Sequence, residues 1–160
     1  MTTPNKRDFR TFQNEFMNYD SAMLSWLAAL LQAEAYLYLD KRSRSNQNSP
    51  PPVPMIKIDM IDKEVMEFLA SAFDQQLITL KRKTNKKNIV YRVNVSSRKK
   101  IQVILKTLFP YFIGEKTRSK IQELLDCCSE YDIWLNSGGK SDQAKRANLA
   151  RQESKLKKTE

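Results

Sequence analysis

The chain contains no histidine. That excludes every mechanism needing imidazole as general base or metal ligand, including histidine-dependent nuclease chemistry and histidine zinc sites. Cysteine is nearly missing as well: Cys127 and Cys128 are the only two, and they are neighbours. Adjacent cysteines build no disulfide framework. The expected setting is therefore a reducing intracellular compartment, either cytoplasm or an organelle matrix or stroma, with both thiols acting as small apolar residues on a helix. No long hydrophobic run is present either. The longest has about a dozen residues, short of the ~20 a membrane-spanning helix needs. Met1 to Asp20 is polar without an apolar h-region, so neither a signal peptide nor a membrane partner is expected. Finally, acids are missing from one long stretch. Between Asp74 and Glu115 there is none, whereas Lys81, Arg82, Lys83, Lys86, Lys87, Arg92, Arg98, Lys99, Lys100 and Lys106 all fall there.

What is present follows from that imbalance. The protein has 160 residues and a net charge of +10, and its basic excess is concentrated in the acid-free stretch. One-sided positive charge of this size points to a polyanion partner rather than to a small-molecule substrate. The chain length fits one principal domain. We expect a polar lead-in over 1–20, a domain over 21–136 and a basic C-terminal helix or tail over 137–160.

The most apolar segment is Leu24 to Ala35, read L-S-W-L-A-A-L-L-Q-A-E-A. Asp20 or Ser21 is its expected N-cap. It has no polar face, and such a helix must be covered on all sides. Ser25, Ala29 and Ala33 recur at i, i+4, i+8 and form a stripe of small side chains that allows two helix backbones to approach closely. These three residues are the expected dimer seam.

Beyond this helix, period-2 alternation predicts strands at 36–42, 53–60, 77–83 and 88–96. Helical periodicity covers 62–73, 98–109, 116–135 and 141–157, with Pro110 stopping the second of these. Ser43 to Pro52 reads as a loop and Thr84 to Asn88 as a turn. The order is αββαββα with extra C-terminal helices: an α+β fold with a four-stranded antiparallel sheet packed on helices. We expect one sheet face to stay open and carry Tyr38, Asp40, Arg42, Lys57, Asp59, Thr79, Lys81, Lys83, Arg92 and Asn94, with Lys86 and Lys87 in the adjoining turn. Bases position phosphate, while Asp, Asn and Arg can read base edges in the major groove of double-stranded DNA.

Residues 27–35, L-A-A-L-L-Q-A-E-A, resemble the nine-residue motif that names the LAGLIDADG homing endonucleases, and αββαββα is the fold of that family. Pro54 to Asp62 is similar to that family's second strand with the acid opening the next helix. Leu108 to Lys116 is similar to its proline-aromatic turn before a lysine of the catalytic site. The resemblance covers about residues 22–135. A single motif implies the homodimeric subclass and a saddle-shaped sheet. It further implies that Glu34 is the metal ligand, that Asp62 and Lys116 occupy further catalytic-site positions, and that Tyr38, Asp40, Arg42 and Arg44 are base-reading positions. Where the family carries glycines at the helix contact this chain has Ala29 and Ala33. Gln32 replaces the motif's first acid, and Ala35 its last glycine.

Glu34 can also be argued without the resemblance. A carboxylate at a helix C-terminus sits where the backbone dipole is already negative, and pairing two such helices worsens the repulsion unless a cation is near. Oxygen ligands suit Mg²⁺. Two functions fit these residues. The first is a homodimeric, Mg²⁺-dependent, site-specific endonuclease cutting double-stranded DNA. The second is a non-cleaving descendant that binds DNA or structured RNA as a splicing helper, regulator or ribonucleoprotein component. Glu34, Asp62 and Lys116 speak for the first, and the Gln32 and alanine replacements for the second.

Overall fold

A computed structural model of the chain describes residues 7–41, 50–81, 89–141, 144–146 and 149–150. The elements in chain order are α1 (Phe9–Met17), α2 (Ser21–Glu34), β1 (Ala35–Asp40), β2 (Val53–Met60), α3 (Lys63–Ala72), β3 (Ile78–Lys81), β4 (Ile89–Val95), α4 (Arg98–Leu108), a 3-10 turn (Phe109–Tyr111) and α5 (Glu115–Asn136). The expected αββαββα order is present, preceded by α1.

Local chemistry sets the helix starts. Asp8, Asp20, Asp62 and Ser97 are N-caps whose side chains accept from Thr11 N, Met23 N, Val65 N and Lys100 N. Each satisfies a backbone donor that the first turn leaves without a helical partner. Pro110 lacks an N–H and ends α4 in the 3-10 turn. Gly138 ends α5 with φ +87°, a backbone most side chains resist, while its N–H returns to Leu135 O. Residues 139–141, 144–146 and 149–150 are again helical, in the region expected to form a C-terminal helix.

The four strands form one antiparallel sheet in the order β1-β2-β4-β3. Ile56, Ile58, Val93 and Val95 point from its inner face into the core, where Leu24, Leu27, Ala28 and Leu31 of α2 and Ile101, Ile104 and Leu105 of α4 join them. Each fully buried side chain of this size contributes about 1.5–3 kcal/mol of transfer free energy. The expected lead-in supplies part of this core, because Phe12 and Phe16 of α1 are buried in it and Phe16 meets Phe73 at 6.0 Å between ring centroids.

Register corrects one expectation. Ile78 pairs with Arg92 and Leu80 with Val90, whereas Thr79 and Lys81 pair with Tyr91 and Ile89. Cross-strand partners share a face. Thr79 and Lys81 therefore lie on the opposite face from Arg92 and Asn94, contrary to the alternation expected for this strand. The edge strand has four residues, and its apolar Leu80 sits opposite the buried Val90. That pairing sets the register, and a period of two then turns every other side chain over.

Candidate nucleic-acid interface

The open sheet face is built from β1, β2 and β4. Their register aligns Tyr36 with Lys57 and Lys57 with Asn94, and it places Asp59 beside Arg92. Tyr36 and Tyr38 alternate on β1, so their rings fall on one side, 4.9 Å apart between centroids. Lys57 Nζ lies over both, at 5.4 Å and 6.0 Å from the ring centres. The ammonium is held by the ring faces without being neutralised. Arg92 donates from Nε and Nη2 to the two carboxylate oxygens of Asp59 at 2.6 Å and 2.7 Å. The hydrogen bond to Asp59, outweighing burial, holds the guanidinium pKa above its ordinary value. Asp40 lies farther along the same face of β1, opposite Val53.

The structure thus gathers Tyr38, Asp40, Lys57, Asp59, Arg92 and Asn94 as expected. Arg42, Arg44, Lys83, Lys86 and Lys87 lie outside the described residues. Tyr36, 61% exposed, shares the face, as its parity with Tyr38 along the strand requires.

At one end of this face several element termini meet. α2 runs straight into β1, so Glu34 is the last residue of the helix and Ala35 the first of the strand. Ala35 has φ −81° and ψ 140°, a backbone open to any residue, and the junction needs no glycine. Ala35 pairs with Ile58 near the end of β2, which leads within a few residues to Asp62. Asp62 is exposed and caps α3, accepting from Val65 N at 3.1 Å through Oδ1. Lys116 is the second residue of α5 and is exposed. Gln32 Oε1 joins the two helix ends by accepting from Ile113 N at 3.1 Å and Gly114 N at 3.4 Å.

Glu34 and Lys116 are each placed against the preference of their own helix. A carboxylate at a C-terminus and an ammonium at an N-terminus are each disfavoured by about 0.3–1 kcal/mol. Neither forms an ion pair among the described residues. Among those residues no group of three or more His, Cys, Asp or Glu is gathered to hold a metal ion. Glu34 is a hard, exposed oxygen donor, and a single protein carboxylate completed by water and phosphate oxygens is a usual Mg²⁺ arrangement.

The exposed side of α2 carries the small-residue stripe. Leu24, Leu27, Ala28 and Leu31 are buried in the chain's own core, whereas Ala22, Ser25, Ala29 and Ala33 are exposed. Trp26 and Phe68 flank the stripe, each 41% exposed, in an edge-to-face contact with ring centroids 5.5 Å apart. Cys127 and Cys128 are buried on α5 and form no disulfide; Cys127 Sγ donates to Pro52 O, and burial pushes the Cys128 thiol up to about 11.

Several solved structures share this architecture. One is the homing endonuclease I-CvuI in complex with the I-CreI target in the presence of Mg, with the DNA not cleaved. It is 14% identical at a TM-score of 0.54, the match covering 69% of this chain and 68% of that one. The group I intron-encoded homing endonuclease I-CeuI, complexed with DNA, is 11% identical at a TM-score of 0.56, covering 79% of this chain and 67% of that one. A further I-CvuI structure, bound to its own target in the presence of Ca, is 15% identical at a TM-score of 0.50, covering 75% and 69%. No protein-family model matches the chain, and no curated protein matches it in sequence. The chain has the LAGLIDADG homing endonuclease fold.

Proposed function

We propose that this chain is a site-specific DNA endonuclease acting as a Mg²⁺-dependent homodimer. The observation that carries this reading is the position of Glu34, exposed at the end of α2 between the small-residue stripe and the open sheet face. Pairing two copies along Ser25, Ala29 and Ala33 would bring two Glu34 carboxylates to the midline and set two sheet faces side by side. That is the symmetry of a roughly palindromic duplex site. The similar structures are complexes with DNA, which supports a duplex as the ligand.

In this mechanism each element has a distinct task. Arg92 and Lys57 bring positive charge to the duplex, and Asn94, Asp40 and Asp59 offer hydrogen bonds to base edges. Glu34 would hold Mg²⁺, which when bound supplies an activated water and charge stabilisation at the phosphate. Lys116 opposes the negative charge that builds on phosphate as its bond breaks. Asp62, held by its capping contact at the rim, orders a water nearby. The buried thiols fit a reducing compartment.

Incubation with a randomised duplex library and Mg²⁺ tests the reading. The wild type is expected to cut on both strands. Glu34→Gln is expected to retain binding while cleavage falls by about a thousandfold or more, roughly 4 kcal/mol of transition-state stabilisation. Sequence-selective binding without cuts, unchanged by Glu34→Gln, would sink the nuclease reading in favour of a silent binder.

A further inference from the structure

The geometry points to Gln32 as a positioning residue that fixes the start of α5, and with it Lys116, against the last turn of α2, and with it Glu34. The inference rests on the nuclease reading above. Gln32 stands on the exposed side of α2, two residues before Glu34. Residues two apart on a helix do not face the same way, so Gln32 can hold a neighbour without competing for whatever Glu34 binds.

What it holds is the turn before α5. Gly114, the N-cap of that helix, has no side chain with which to cap it. Ile113 N and Gly114 N stand outside the helical ladder, and Ile113 is 89% exposed. The carboxamide oxygen of Gln32 accepts from both, at 3.1 Å and 3.4 Å, across 81 and 82 residues of sequence. A Cβ placed on Gly114 would lie 3.5 Å from Gln32 Nε2, so the two segments are in contact. Lys116 follows two residues later. An unheld turn would let that helix start drift, and displacement of a catalytic group by about 1 Å can cost a hundredfold in rate. Glutamine serves as acceptor here without adding a second negative charge beside Glu34 and an incoming phosphate.

The test compares the full-length wild type with Gln32→Met, Gln32→Ala and Gln32→Glu. Methionine keeps the length and helix preference of the side chain but removes the carbonyl acceptor; glutamate restores an acceptor. Amide hydrogen exchange reads the tether directly, and single-turnover cleavage of a duplex recovered from the library reads its use. Exchange at Ile113 and Gly114 is expected to accelerate in Gln32→Met and Gln32→Ala and to stay slow in Gln32→Glu. The two faster variants should lose about tenfold to a hundredfold in kcat with KM and Ca²⁺-supported binding unchanged. Unchanged exchange in those variants overturns the tether. Faster exchange with full kcat overturns its positioning role. A wild type that binds without cutting overturns the nuclease reading and the catalytic use of Gln32 together, while the exchange rates still decide whether the tether exists.

Discussion

Two acid–base pairs in this chain use the same chemistry to different ends. On the open sheet face, Arg92 and Asp59 pair with side chains 27% and 32% exposed. On the helical side, Lys100 and Asp74 pair at 2.7 Å with side chains 8% and 10% exposed. Lys100 also donates to Asp74 O at 2.9 Å and lies over the Phe12 ring at 5.4 Å. Arg7 reaches the same carboxylate and also donates to Ser71 O. The buried pair therefore clamps α1 and α4 to the end of α3. Asp74 even accepts φ +50°, at a helix end where glycine is usual, which places its carboxylate against Lys100. The open pair joins two neighbouring strands, β2 and β4. Water reaches it, and in the proposed complex its guanidinium exchanges Asp59 for phosphate or a base edge. Burial, rather than the identity of the ions, separates a structural pair from one available for binding.

The largest expected effect belongs to the buried pair. Asp74→Gly removes the carboxylate while suiting the left-handed backbone, so it reports loss of the pair rather than strain. Stability measured by urea unfolding should fall by about 3–5 kcal/mol, because Lys100 is left buried without its counter-ion. The same pair sets an acid limit. Burial pushes the Asp74 carboxyl up, but hydrogen bonds and charge from Lys100 and Arg7 outweigh it and hold the pKa below the ordinary value. A lowered carboxyl contributes stability that is fully present above the unfolded pKa, near 3.9, and is lost as pH falls through the folded one. Urea midpoints should therefore be insensitive to this group between pH 7 and 5 and decline below about 4, with Asp74→Gly removing that share of the decline.

Arg92→Ala is expected to act on the other axis. DNA affinity should fall by about 1–3 kcal/mol in titrations at fixed salt. Asp59→Ala should give the smallest effect on folding, about 0–1 kcal/mol, as for other solvent-accessible ion pairs. If Asp59→Ala destabilised the chain as strongly as Asp74→Gly, the contrast between the two regions would fail.

The fold was largely legible in the sequence because its signals are local. The cap at Asp20, the Pro110 stop and the alternation in β2 and β4 each act within a few residues. The site was legible where it follows parity along one strand, as for Tyr38, Lys57 and Arg92. It was not legible where a partner strand decides. Ile78 and Leu80 carry a valid apolar alternation, but pairing with β4 turned them toward the open face and sent Thr79 and Lys81 to the other. Nor could local pattern disclose Gln32, whose role depends on a contact 81 residues away. As a break in a motif it looked like a loss, whereas in three dimensions its carbonyl has a use.

The account depends most on the exposed stripe of α2 being a seam between two copies that each bring one Glu34. The most direct test is the mass, by sedimentation, of the complex formed on a duplex the protein cuts, in Ca²⁺ to hold the DNA intact. The account predicts two chains per duplex, reduced to one by Ala29→Arg with loss of double-strand cleavage. One chain per duplex in a wild type that cuts both strands would contradict it.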